Sequence, residues 1–212
     1  MKPIYSGPVE VDDHSLLSGA RSVRKWGWLW KKKTVWPWWL SRTLDNRFRR
    51  RIHPPSKILG PWLEPGMTGL DVGCGLGFFS LAMAEMVGPR GLVLSVDIQA
   101  RMLSGTLSRA QKSGLYDRIK TIRLRNHCLV LPGKIDFALA FWVAHEVSDL
   151  PLLLGRIHHH LKPGGRLLLV EPLVHVSKRR FALESILAME TGLRIEAEPK
   201  ICFSRAAVFQ KN

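Results

Sequence analysis

The sequence predicts a doubly wound α/β domain with about seven strands, mostly parallel, the last one antiparallel. Three observations carry this. From Met67 onward, strand-like and helix-like segments alternate, as they do where helices cross between parallel strands. The first strand-like run ends in a glycine-rich turn, "LDVGCGLGFF", that opens a helix-like run. The last two strand-like runs, "LRIEAEPKICF" and "SRAAVFQ", are joined by a short turn, which suits an antiparallel pair.

The elements follow in order. "TGLDVG" is a short apolar strand, and "FFSLAMAEMVG" has helical spacing that Gly88-Pro89 stops. "GLVLSVD" is the second strand, and residues 99–113 form a helix ending at Gly114. "KTIRLR" and "KIDFALAF" are strands three and four. "LPLLLGRIHHHL" is a helix, "KPGG" a turn, and "RLLLVEP" strand five. Residues 178–191 make the last helix, ahead of Gly192. Three consecutive histidines, 158–160, splay around a helix and cannot converge on one ion; interaction with the helix C-terminus explains them more simply.

The totals narrow the class. A chain of 212 residues can bury a substantial core, and 46% hydrophobic content is ordinary for a globular protein. No apolar run reaches the roughly 18 residues of a membrane span. The opening "MKPIYSGPVEVDDHSLL" lacks a secretory signal's apolar region, and Cys74, Cys128 and Cys202 suit neither a disulfide framework nor a zinc knuckle. A reducing cytoplasm is the expected compartment. The net charge of +15 is concentrated at the front, where residues 21–51 hold eleven Lys or Arg against one acid, Asp45.

The chemistry sits in "LDVGCGLGFF". Asp71, Gly73, Gly75 and Gly77 end the first strand and open the first helix, where a sharp turn and a close ligand both favour glycine. Asp97 ends strand two, placed to accept both hydroxyls of a ribose. Together they indicate a nucleoside-containing cofactor. A dinucleotide would want G-x-G-x-x-G/A, yet the final position is Phe78 or Ser80, depending on the starting glycine.

The pattern D-x-G-x-G-x-G resembles the first motif of class I S-adenosylmethionine-dependent methyltransferases. "VLSVDI", "IDFALAFWVAHEVSD" and "LKPGGRLLLVEP" resemble their later segments, in order, over roughly residues 50–212. The resemblance implies a Rossmann-like fold and S-adenosylmethionine as cofactor. It places the methionine moiety near Asp71, Gly73 and Gly75, with Gly77 completing the loop. Asp97 is implied at the ribose, Ile98 and Met102 against the adenine, and Phe141 among the cofactor contacts. Asn126 or His127 stands where the family often has an acid for the adenine amino group; an Asn oxygen can accept the same bond.

Acceptor chemistry is expected at the ends of strands four and five. His145 and Glu146 follow strand four; Glu171 ends strand five, and His175 lies just beyond. Three roles stay open: a base or positioning group, a metal cluster with His175, or ordering of the loops. Adjacent helical residues do not share a face, which counts against the metal. Cys74 reads as a small filler.

The front of the chain divides in two. Trp36, Leu40, Leu44, Phe48 and Ile52 form an apolar stripe on a helix, with Arg42, Arg49 and Arg50 mostly off it. "LDNRFRRRIHPPSKIL" resembles the N-terminal segment of a group of small prokaryotic class I methyltransferases. By that resemblance residues 36–57 are a lid on a methyltransferase domain of residues 36–212. Residues 1–35 read as a basic, Trp-rich arm. The region 21–40 suits a membrane surface, through Trp and Lys together, or single-stranded nucleic acid; partial packing on the domain is the plainer alternative. The expected function is methyl transfer to a small, apolar or aromatic acceptor. The alternatives are an RNA methyltransferase and a non-catalytic S-adenosylmethionine-binding protein. "FWVAHEV" departs from the motif of nucleic-acid amino methylation, N/D-P-P-Y/F/W.

Overall fold

A computed structural model describes residues 47–124 and 129–212. The expectations for residues 1–46, including the arm and most of the lid, and for Asn126 and His127 lie outside the described residues.

Two short helices, α1 (Arg47–Ile52) and α2 (Pro55–Leu59), precede the sheet. Its strands are β1 (Thr68–Val72), β2 (Leu92–Asp97), β3 (Ile119–Arg123), β4 (Ile135–Phe141), β5 (Leu161–Pro172), β6 (Leu193–Ala197) and β7 (Ser204–Lys211). The crossover helices are α3 (Phe78–Val87), α4 (Ala100–Lys112), α5 (Leu150–His160) and α6 (Lys178–Glu190). The described strands form one seven-stranded sheet in the order β3-β2-β1-β4-β5-β7-β6. β1 pairs in parallel with both β2 and β4, whereas β7 is antiparallel to both β5 and β6. The expected mostly parallel sheet with a reversed last strand is what forms.

Period-two alternation sorts the core into two faces. Leu70, Val72, Leu94 and Val96 turn to one side, where α5 (Leu153, Leu154, Ile157) and α6 (Phe181, Leu187) cover them. Val93, Phe137, Leu139 and Val170 turn to the other, against α2 and α3 (Ile58, Leu59, Phe79, Met83). Helix starts follow their capping residues: the Asp149 carboxylate accepts from Leu152 N–H (2.9 Å), and Ser177 Oγ from Arg180 N–H (3.2 Å). Among the described residues no helix is long and apolar enough to cross a membrane.

Three local expectations need correction. "KPGG" is not a turn ahead of strand five but a bulge inside it: Ile135 pairs with Leu161 and Phe137 with Arg166. β6 ends at Ala197, not Phe203, since Pro199 in the following stretch has no N–H for a ladder. Lysines, not the histidines, satisfy the end of α5. Lys134 Nζ donates to His159 O and Lys211 Nζ to His158 O, each at 2.7 Å. Burial first, then repulsion from neighbouring cations, pushes His158 and His159 below the ordinary imidazole range.

Candidate active site

The order of the sheet reverses between β1 and β4, and a cavity of about 390 Å³ opens at the C-terminal ends of the strands there. Asp71, Gly73, Gly75, Asp97, Ile98, Met102, Phe141, His145 and Glu146 line it together, as do Glu171's neighbours Pro172 and His175. The one described cofactor residue from the sequence reading that is not in the lining is Gly77, which instead starts α3 with φ 79 and packs against Thr106.

On the β1–β2 side the backbone does the holding. Gly73 N–H and Cys74 N–H both donate to Val96 O, at 2.8 and 3.0 Å. A Cβ on Gly73 would lie 2.4 Å from Val143 Cγ2, so the approach of the chain leaving β4 itself requires a glycine here. Gly75 differs: its φ is 54 and a Cβ there would meet nothing within 4 Å. Its N–H donates to Asp97 Oδ2 (3.0 Å), while Gln99 N–H donates to Asp97 Oδ1 (2.8 Å). Burial raises Asp97 above the ordinary carboxyl range, and these N–H groups oppose the rise. Asp71 Oδ2 accepts from Ser80 Oγ at 2.6 Å. Burial pushes Asp71 up to about 7, against the Ser80 bond and the charge of Arg49. Burial also pushes the Cys74 thiol well up, so it stays protonated and fills space.

On the β4–β5 side one buried side chain, Glu171, gathers the contacts. Glu171 is fully buried at the end of β5. Its Oε1 accepts from Ala144 N–H (2.8 Å) and His145 N–H (3.3 Å), and its Oε2 lies 2.5 Å from His145 Nδ1. A carboxylate can only accept, so Nδ1 carries the proton and Nε2 is left as the basic nitrogen. Glu146 Oε1 is 4.0 Å from that Nε2: the two adjacent residues occupy a tight 3-10 turn and approach each other more closely than helical splay suggests. The His145 and His175 rings stack with centroids 5.9 Å apart. Among the described residues no group of three or more His, Cys, Asp or Glu is arranged to hold a metal.

Behind the loop stands an ion pair from α6, half-buried at Arg180. Arg180 Nε donates to Glu184 Oε1 (3.0 Å), and Arg180 Nη2 reaches His145 O (3.4 Å). Glu184 is fully buried, and burial followed by the charge of Glu171 pushes it up to about 7. Trp142 follows β4 with φ 59, a strained conformation for a bulky residue. Its N–H donates to Val170 O (2.7 Å) and its indole N–H to Ser204 Oγ (2.9 Å), which fix it in the cavity wall.

Arg49, Trp142 and Glu184 escaped the sequence reading. Arg49 falls off the apolar stripe of the sequence, yet its guanidinium lies in the cavity wall, 4.7 Å from the Phe78 ring centroid and 5.7 Å from that of Trp142. Burial lowers it to about 10, with the charge of Asp71 opposing, so it stays cationic at neutral pH. The available signal was the pair Arg49 and His53, four apart and hence on one face. His53 is buried against Phe141 and Trp142, with ring centroids 5.2 and 5.0 Å away. Glu184 also had a signal: it lies three residues after Phe181 and four before Ala188, on the buried stripe of α6.

Comparison with known proteins identifies the family. A family model described as a methyltransferase domain matches residues 63–198. Nocamycin O-methyltransferase of Saccharothrix syringae is 36% identical over 122 residues, 57% of this chain and 43% of that protein. Demethylmenaquinone methyltransferase of Symbiobacterium thermophilum is 37% identical over 111 residues, 51% of this chain and 43% of that one. A 2-phytyl-1,4-naphtoquinone methyltransferase of Nostoc sp. is 32% identical over 121 residues, 56% of this chain and 52% of that one. The matched part of the chain thus spans about half the length of these relatives, or somewhat less. A crystal structure of an S-adenosylmethionine-dependent methyltransferase from Aquifex aeolicus superposes with a TM-score of 0.75. It covers 84% of this chain and 100% of that one at 22% identity, which speaks to the fold.

Proposed function

The chain belongs to the methyltransferase-domain family, and we propose that it is an S-adenosylmethionine-dependent methyltransferase that methylates a small aromatic or apolar acceptor bearing an acidic hydroxyl. His145 is the general base in this reading. The observation that carries it is the 2.5 Å contact between buried Glu171 and His145 Nδ1 in the cavity wall.

The β1–β2 side fits the cofactor. Gly75 leaves an open cradle where a Cβ would project, and Asp97 offers two carboxylate oxygens beside it. Asp97 would accept from the ribose hydroxyls, and Ile98 and Met102 would flank the adenine. Asp71 and Arg49, opposite charges at one end of the cavity, match the ammonium and carboxylate of an amino-acid moiety. Bound S-adenosylmethionine supplies a methyl group on a sulfonium, already activated toward a nucleophile in line with it.

The chain's own task is then to place and ionise the acceptor. His145 Nε2 takes the hydroxyl proton, and the buried Glu171 carboxylate stabilises the imidazolium that forms. Phe79, Phe141 and Trp142 give an apolar wall that suits a flat ring and excludes water. The relatives named for O-methylation and for naphtoquinone or menaquinone substrates support such an acceptor. Loss of a phenolic or enolic proton makes either the oxygen or the adjacent ring carbon nucleophilic. One base therefore serves both outcomes. Arg49 lines the cavity and His53 packs against Phe141 and Trp142 beside it, the inner edge of a lid in this reading.

The test uses methyl-labelled S-adenosylmethionine, the full chain and a panel of hydroxylated naphthalenes and quinols. Label should appear in the organic extract and fall sharply with His145→Ala. Label found in RNA from a host lysate, or in no fraction although the cofactor binds, would contradict the proposal.

A further inference from the structure

The mouth of the cavity carries features that methyl transfer does not use. β7 runs antiparallel to β5, with Ser204 paired to Pro172, so the start of one strand and the end of the other meet at the cavity edge of the sheet. Two loops leave that edge together, residues 173–177 and 198–203, tied by Leu173 N–H to Phe203 O at 2.9 Å. Their tips are apolar and face water: Leu173 is 46%, Val174 86% and Phe203 61% exposed. Phe203 also has φ 53, a left-handed conformation that a bulky residue adopts only at a steric cost. Single exposed hydrophobic residues are ordinary. Three on adjoining loops beside a cavity, one of them strained, mark a surface that meets something apolar.

Cations surround these tips. Exposed Lys178 and Arg179 open α6 immediately after the first loop, and exposed Lys200 sits in the second. Arg50 and Arg51 are exposed on α1, which reaches the same edge where His53 Nε2 meets Cys202 O at 2.9 Å. The exposed carboxylate within the two loops is Glu198. Upstream of α1 the sequence is of the same kind, with six Trp and five Lys or Arg in residues 24–40. Apolar tips ringed by cations complement a bilayer with anionic headgroups: the tips enter the acyl boundary and the cations stay at the phosphates. Leu173 and Val174 have no face on which a base could stack, which argues against single-stranded nucleic acid at this surface.

We infer that the loops 173–177 and 198–203, with the cations beside them, dock the protein on an anionic lipid bilayer with its cavity mouth toward the membrane. A lipid-soluble acceptor would then enter from the bilayer. That last step rests on the proposed acceptor class; the docking does not.

The test is flotation of the full chain with vesicles of phosphatidylcholine alone or with about a third phosphatidylglycerol, a content that gives a strongly negative surface. The wild type should float with the anionic vesicles and much less with the neutral ones. Leu173→Ser combined with Phe203→Asn should weaken flotation about tenfold or more, the loss expected from two apolar side chains. Asn tolerates a positive φ, so this variant keeps its fold, and its unchanged S-adenosylmethionine affinity verifies that. Lys178→Gln with Arg179→Gln should weaken flotation by about fivefold per cation at low salt. Absence of wild-type flotation overturns the inference, as does undiminished flotation of the Leu173/Phe203 variant or retention on single-stranded RNA with none on vesicles. Flotation without methylation of any hydroxylated acceptor would instead count against the proposed function and leave the docking intact.

Discussion

The two sides of the cavity are built by opposite means. On the β1–β2 side one βαβ unit supplies Asp71, the glycine loop and Asp97, and backbone N–H groups fix the geometry. On the β4–β5 side His145, Glu171 and Glu184 come from separate elements and are joined through side chains, with Arg180 bridging Glu184 to the His145 carbonyl. A backbone-built site is contiguous in sequence and tolerant of changes around it. A site built from side chains can be altered one residue at a time, which suits the half that selects the acceptor.

That contrast predicts separable losses. The largest is expected at His145: the Ala variant should lose about 10²–10⁴ in kcat, the usual contribution of a positioned base, in a single-turnover assay. Asp97→Ala should raise the cofactor Kd about 10²-fold or more, since two hydrogen bonds to a charged group are worth about 1.5–3 kcal/mol each. Calorimetry would measure it. Gly73→Ala should lower stability by about 2–3 kcal/mol in urea denaturation, from overpacking against Val143 and a positive φ of 68. A tolerated Ala there would mean that the chain leaving β4 is not clamped to the loop.

The remaining expected effect is in pH. Asp71 and Glu184 are both raised to about 7 by burial. A raised carboxyl adds stability below its unfolded value and loses it as pH climbs through the folded one. Thermal melts of the free chain should therefore fall between about pH 4 and 7. Cofactor affinity should move the other way, tightening as pH passes 7, because only the ionised Asp71 can pair with an ammonium group. Asp71→Asn should flatten the affinity profile and leave the Glu184 part of the stability profile in place.

The same contrast explains what the sequence disclosed. The glycine loop and Asp97 are readable because their partners lie within one supersecondary unit. His145 and Glu171 are individually visible, but their meeting depends on β4 and β5 lying side by side with Phe141 level with Val170. No local spacing announces that register. Arg49 is hard to place because the apolar stripe runs on through Ile52 in the sequence, whereas the chain there turns the Arg49–His53 face inward. Glu184 is legible by a local rule: an acid on a buried helical stripe needs a partner, and Arg180 is one turn away. The end of β6 was likewise marked by Pro199.

The division of labour is tested most directly by titrating S-adenosylmethionine into the wild type, Asp97→Ala and His145→Ala in a calorimeter. Asp97→Ala should bind about 10²-fold or more weakly than the wild type, while His145→Ala should bind within about threefold of it, as independent sites do. If His145→Ala loses binding as severely as Asp97→Ala, or if Asp97→Ala binds like the wild type, the two sides are not separate and the account is wrong.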